Sequence, residues 1–116
     1  MYTINIERAR FPVKLGWFDK ERSYPQIVDV DVCLELSDKV PCPPRELSET
    51  IDYMQIMALM RKVCAETEWK LLEHMCTDLA GAILDSSELI QNVSVRTWKN
   101  VSTDVRGISV EAKLTR

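Results

Sequence analysis

The nine residues Val28-Asp29-Val30-Asp31-Val32-Cys33-Leu34-Glu35-Leu36 alternate apolar with mostly polar side chains without a break. A period of two puts the apolar set on one side of a pleated strand and the polar set on the other. The segment therefore predicts a strand with one buried and one wet face, which is the antiparallel type. Ile4 and Ile6 alternate with Thr3, Asn5 and Glu7 in the same way, predicting a first strand that runs toward Phe11 and Val13. Residues 14–26, between these strands, are too rich in charged and aromatic side chains for a minimal hairpin turn.

The period then changes. Pro41, Pro43 and Pro44 exclude regular structure through about residue 46. Beyond them, Asp52 and Gln55 have the spacing of a capping box, and Tyr53, Ile56, Met57, Met60 and Cys64 fall on one helical stripe. A second helix is expected from near Leu71, with Leu72, Cys76, Leu79 and Ile83 on its apolar face. Trp69 and Lys70 lie between the two, with no Gly or Pro to stop the first helix. From Asn92 the period returns to two: Val93, Val95 and Thr97 oppose Ser94, Arg96 and Trp98, and Ile108, Val110, Ala112 and Leu114 oppose Ser109, Glu111 and Lys113.

The order β-β-α-α-β-β argues for an α+β domain over residues 1–116, a four-stranded antiparallel sheet with both helices on one face. Such a sheet has two exposed edges. Pairing edges between copies to close an oligomeric barrel would remove them.

Composition narrows the function classes. At 116 residues the chain is one domain, able to bury somewhat under about 70% of its unfolded surface. A net charge of −3 with scattered Lys and Arg excludes an electrostatically driven nucleic-acid or membrane partner. No apolar run approaches the roughly 20 residues of a membrane span. Cys33, Cys42, Cys64 and Cys76 lack close spacing and His74 is the one histidine, so no metal site is expected. The segment Met1-Tyr2-Thr3-Ile4-Asn5-Ile6-Glu7-Arg8 has neither the apolar stretch nor the cleavage site of a secretory leader. Reduced cysteines and a cytoplasmic location are expected, and Asn92-Val93-Ser94 and Asn100-Val101-Ser102 are then chance matches to the glycosylation pattern.

Four short motifs place chemically capable residues beside these elements: Leu15-Gly16-Trp17 with Glu21-Arg22 and Pro25-Gln26; Glu49-Thr50-Ile51-Asp52-Tyr53; Leu71-Leu72-Glu73; and Trp98-Lys99-Asn100. Each residue alone has a plain structural reading. Glu73 suits the first turn of a helix, where the macrodipole favours an acid. Tyr53 on an apolar stripe suits a core with its hydroxyl at the rim. Lys99 and Glu21 suit a solvated strand end and loop.

In this order and spacing the motifs resemble the dihydroneopterin aldolase family over nearly the whole chain. The resemblance implies the tunnelling fold, with subunits joined into a barrel as a homo-tetramer or homo-octamer and active sites between neighbours. It implies a small-molecule pterin substrate, 7,8-dihydroneopterin, cleaved to 6-hydroxymethyl-7,8-dihydropterin and glycolaldehyde in folate biosynthesis. A retro-aldol step needs an electron sink and groups that take and return protons. The substrate supplies the sink on protonation at N5, so neither metal nor cofactor is expected.

By the same resemblance Glu73, beside Leu72, would bind the pterin's amino group and ring N–H. Tyr53 from a neighbouring subunit would exchange a proton with the side-chain hydroxyl and the reacting carbon. Lys99 would sit near N5, and Glu21 would order the first loop and orient substrate or water. Many family members have proline where Asn100 stands, and Trp98 is unusual beside the lysine. The rival readings are a dihydroneopterin triphosphate epimerase, with Lys14, Lys20, Arg22 and Arg106 as candidate cations for the phosphates, and a noncatalytic pterin-binding protein.

Overall fold

In the computed structural model, which describes residues 1–100 and 103–116, the elements are β1 (Thr3–Leu15), β2 (Gln26–Leu36), α1 (Tyr53–Glu66), β3 (Glu68–Trp69), α2 (Leu72–Asp85), β4 (Ile90–Lys99) and β5 (Ile108–Thr115). Short 3-10 turns cover Glu21–Ser23 and Leu47–Glu49. The sheet order is β3-β1-β2-β4-β5. The pairs β1·β2, β2·β4 and β4·β5 are antiparallel, as the alternation predicts.

The fifth strand corrects the expected count of four. Glu68 and Trp69 run parallel to β1 opposite Lys14 and Leu15. Two residues are too few to show a period, so the strand leaves no pattern in the sequence. Its cause is Trp69, which is buried and donates its indole N–H to Asp78 Oδ2 at 2.8 Å. The same pairing explains how α1 ends without Gly or Pro: Thr67 is already extended, at φ −126 and ψ 142, and leads into β3.

Val28, Val30, Val32, Leu34 and Leu36 of β2 are all buried on the side facing the helices. The buried residues Ile56, Met60 and Cys64 of α1 and Met75, Cys76, Leu79, Ala80 and Ile83 of α2 complete one core. α2 lies against β4 and β5, and α1 against β1. In β1 the core-facing set changes parity, from Ile4 and Ile6 to Ala9, Phe11 and Val13. A bulge between Ile6 and Ala9 absorbs the extra residue, so that both sets face the same way.

The start of α1 differs from the expected capping box. Asp52 accepts from the Met54 N–H at 3.0 Å, but Gln55 does not reach back. The reciprocal box forms one turn earlier, where Glu49 Oε1 accepts from the Glu46 N–H at 3.0 Å. Glu49 thereby fixes the turn that delivers Thr50 and Ile51 to the helix. All four cysteines are free. The second glycosylation-type triplet includes Val101 and Ser102, which lie outside the described residues. Among the described residues, no helix is long and apolar enough to cross a membrane.

Candidate active site

The site is assembled at one end of the sheet. β1 and β4 run the same way through their antiparallel partner β2, so Leu15 and Lys99 end side by side with the start of β2 between them. Trp69 holds the start of α2 at this end through its carbonyl, which accepts from the Gly16 N–H at 3.0 Å.

The loop after β1 brings together two of the expected residues. Lys99 Nζ lies 3.2 Å from Glu21 Oε2, although 78 positions separate them in sequence. The other carboxylate oxygen, Oε1, accepts from the Phe18 N–H at 3.2 Å. The Phe18 N–H first, then the Lys99 ammonium, hold the Glu21 carboxyl below its ordinary value of 4.5. Lys99 is mostly shielded, its side chain 17% exposed, so its ammonium is held in a defined place. Asn100 does not prevent this pairing.

Gly16 makes room for the pair. Its φ is +150, and a Cβ there would stand 2.4 Å from Glu21 Cβ. Only glycine permits both the backbone and the close approach. Arg22 then clamps the loop, donating to the carbonyls of Gly16 at 2.7 Å and Trp17 at 3.0 Å, with Glu68 Oε1 3.5 Å from its Nε. Gln26 donates its amide to the Leu15 carbonyl at 2.7 Å and closes the loop's base. Sequence reasoning assigned neither Arg22 nor Gln26 this positioning role. Their places in the Glu21-Arg22 and Pro25-Gln26 motifs were the available signal.

Glu73 is exposed in the first turn of α2, four residues beyond Trp69, and Leu72 beside it packs partly against the core. A carboxylate presented there can accept two hydrogen bonds from a planar amino and ring N–H edge.

Tyr53 is elsewhere in the same chain. It opens α1, whose far end leads through Thr67 to β3; the 14 residues of the helix span about 20 Å. Tyr53 is 55% exposed and does not sit at the rim of the core. Beside it a cleft of about 540 Å³ is lined by Thr50, Ile51, Asp52 and Gln55 together with Ser86 and Ser87. This cleft contains neither Lys99 nor Glu21. In one chain Tyr53 and the Lys99 and Glu21 pair therefore lie at opposite ends of α1.

Of the four cations considered for a triphosphate, Lys20 and Arg22 stand on this loop, while Lys14 and Arg106 lie elsewhere. The Arg22 guanidinium is committed to loop carbonyls, Lys14 lies beside Glu66 and Glu68, and Arg106 borders a cleft on the sheet's other face. Trp98 also points to that face, donating to Asp31 Oδ2 at 2.9 Å. Among the described residues, no three His, Cys, Asp or Glu side chains are grouped so that they could hold a metal ion.

Residues 4–113 match the family model for dihydroneopterin aldolase. A Synechocystis protein named as a probable dihydroneopterin aldolase is 27% identical over 99 residues, covering 85% of this chain and 83% of its own. Among solved structures, Escherichia coli dihydroneopterin aldolase in complex with neopterin superposes with a TM-score of 0.86 at 15% identity, over 98% of this chain and 99% of that one. The Burkholderia thailendensis dihydroneopterin aldolase bound to guanine gives 0.83 at 20% identity, over 99% and 91%. At these identities the structural likeness establishes the fold.

Proposed function

The chain belongs to the dihydroneopterin aldolase family and is an aldolase of folate biosynthesis, and from that premise we propose how its own residues act on 7,8-dihydroneopterin. The observation that carries the reading is the 3.2 Å contact between Lys99 and Glu21 under the Gly16 loop. Glu73 anchors the pterin edge at the start of α2. Lys99, held by Glu21, places its ammonium toward N5 and passes a proton to it through water. Protonated N5 draws in the electron pair of the breaking carbon–carbon bond. Tyr53 takes the proton of the side-chain hydroxyl, glycolaldehyde departs, and the reacting carbon is reprotonated to give 6-hydroxymethyl-7,8-dihydropterin. One proton is removed from oxygen and one delivered to carbon, and the proton lent to N5 returns through water to Lys99 as the ring C=N re-forms, with no net redox change.

The span of α1 keeps Tyr53 away from Lys99 of its own chain, so we assign the Tyr53 half-site to a neighbouring subunit. The free edge of β1, covered by β3 only at Lys14 and Leu15, and the free edge of β5 support pairing between copies. A ring-shaped barrel, as a homo-tetramer or stacked homo-octamer working in the cytoplasm, follows from this reading. Epimerisation of the substrate side chain can proceed through the same protonations, whereas the dispersal of the candidate cations argues against a triphosphate as the main substrate.

Purified protein should release glycolaldehyde from 7,8-dihydroneopterin without added metal, and Lys99→Ala should suppress turnover while pterin binding persists. Unchanged turnover in that variant would remove Lys99 from the mechanism. Co-refolding Lys99→Ala with Tyr53→Phe tests the shared site: random rings restore complete Lys99 and Tyr53 pairs at about a quarter of the interfaces. Activity no greater than that of the separate variants would place both residues in one chain.

A further inference from the structure

The helix-free face of the sheet carries a cleft that the reaction does not use. Its volume is about 500 Å³, and its lining includes Arg8, Arg10, Arg106, Asp29, Trp98 and Gly107. The bulge in β1 shapes this wall. Arg8 sits in it at φ +55, a conformation costly for a residue with a long side chain. Its N–H donates to Asp31 Oδ1 at 2.7 Å, and its guanidinium lies 4.5 Å from the centre of the Trp98 ring. Asp31 also accepts the Trp98 indole N–H, so Arg8 and Trp98 are locked to the same carboxylate.

The lining holds three arginines against one acid. Asp29 bridges Arg8 at 3.2 Å and Arg10 at 3.0 Å, holding the two guanidiniums close together. Arg106 adds a third, exposed, from the segment leading into β5. Asp31 opposes part of this charge; its Oδ1 accepts the Arg8 backbone N–H and its Oδ2 the Trp98 indole N–H. Guanidiniums present planar forks that match phosphate oxygens. A single phosphate would leave most of this volume empty, whereas a short chain of phosphoryl groups can reach all three arginines.

We propose that this cleft binds an oligophosphate chain at a site separate from the pterin pocket. The chain can be free or carried on a nucleoside, and the recognition chemistry is the same. Isothermal titration with inorganic tripolyphosphate at low ionic strength is the test, with Arg106→Gln and Arg10→Gln as variants and Lys20→Gln, in the catalytic loop, as control. Saturable binding that weakens at least about tenfold in both arginine variants and is unchanged in the control is expected. Arg106→Gln should turn over 7,8-dihydroneopterin like the parent protein, so this result stands apart from the catalytic assignment. Equal affinity for adenosine triphosphate would assign the site to the chain alone, and tighter binding would assign it to a nucleotide; both support the proposal. Absence of saturable binding, arginine variants that bind like the parent, or loss in Lys20→Gln alone would overturn it.

Discussion

Replacing Gly16 with alanine tests whether the placement of Glu21 controls turnover. An added Cβ would lie 2.4 Å from Glu21 Cβ, 2.7 Å from its Cδ and 2.8 Å from its Oε2. Ordinary contact begins near 3.4 Å, so the glutamate must retreat by about 1 Å. It can do so, because it stands on an exposed 3-10 turn. The backbone at φ +150 adds a conformational cost of about 1–3 kcal/mol for any residue with a Cβ. Stability should therefore fall by that amount while the core stays intact. Turnover should fall much further: a displacement of about 1 Å in a reacting group or its support costs on the order of a hundredfold. Because Glu21 acts through Lys99, the loss should appear in kcat with KM little changed. Glycolaldehyde release, measured beside equilibrium denaturation, separates the two effects. A variant destabilised as expected that retains parental kcat would refute the role given to the Glu21 and Lys99 pair.

Gly81, within α2, is the contrasting case: an added Cβ meets nothing within 4 Å. Gly81→Ala should stabilise the protein by about 0.5–1 kcal/mol, read from its denaturation midpoint, and leave turnover unchanged. The pH dependence of stability follows from the lowered Glu21 carboxyl. The Phe18 N–H and Lys99 favour its ionised form in the folded state, so its contribution is complete above the unfolded value near 4.5 and disappears as pH falls through the lower folded value. The parent should exceed Glu21→Gln in stability at neutral pH and converge with it below 4.5. Curves that stay parallel across that window would deny the linkage.

The strands and helices were legible because burial on one face writes itself into the period. Val28 through Leu36 and Val93 through Thr97 show this directly. β3 was not legible, since two residues have no period and Trp69 pairs with the distant Leu15, while its indole reaches Asp78 in the next helix. The site divides in the same way. Glu21, Lys99, Glu73 and Tyr53 were named from motifs, but the contact between Glu21 and Lys99 spans 78 positions and depends on the whole sheet. The clamp by Arg22 was hidden for a related reason: a charged loop residue announces its charge, whereas its partners here are backbone carbonyls.

The bulge in β1 joins these threads. Ile6 and Ala9 both face the core, and in an unbroken strand their odd separation would turn one of them outward. The chain accommodates both by spending two residues, Glu7 and Arg8, opposite Asp31 alone. Removing one residue there would leave Ile6 and Ala9 an even separation apart and restore a regular ladder with both sets still toward the helices. The extra residue is thus not demanded by the core: the bulge keeps the core faces in phase while it aims Arg8 across Trp98 on the other face. Trp98 precedes Lys99 directly, and alternation sends the two side chains to opposite sides of β4. One strand end therefore serves two surfaces: Lys99 toward Glu21, and Trp98 toward the arginines.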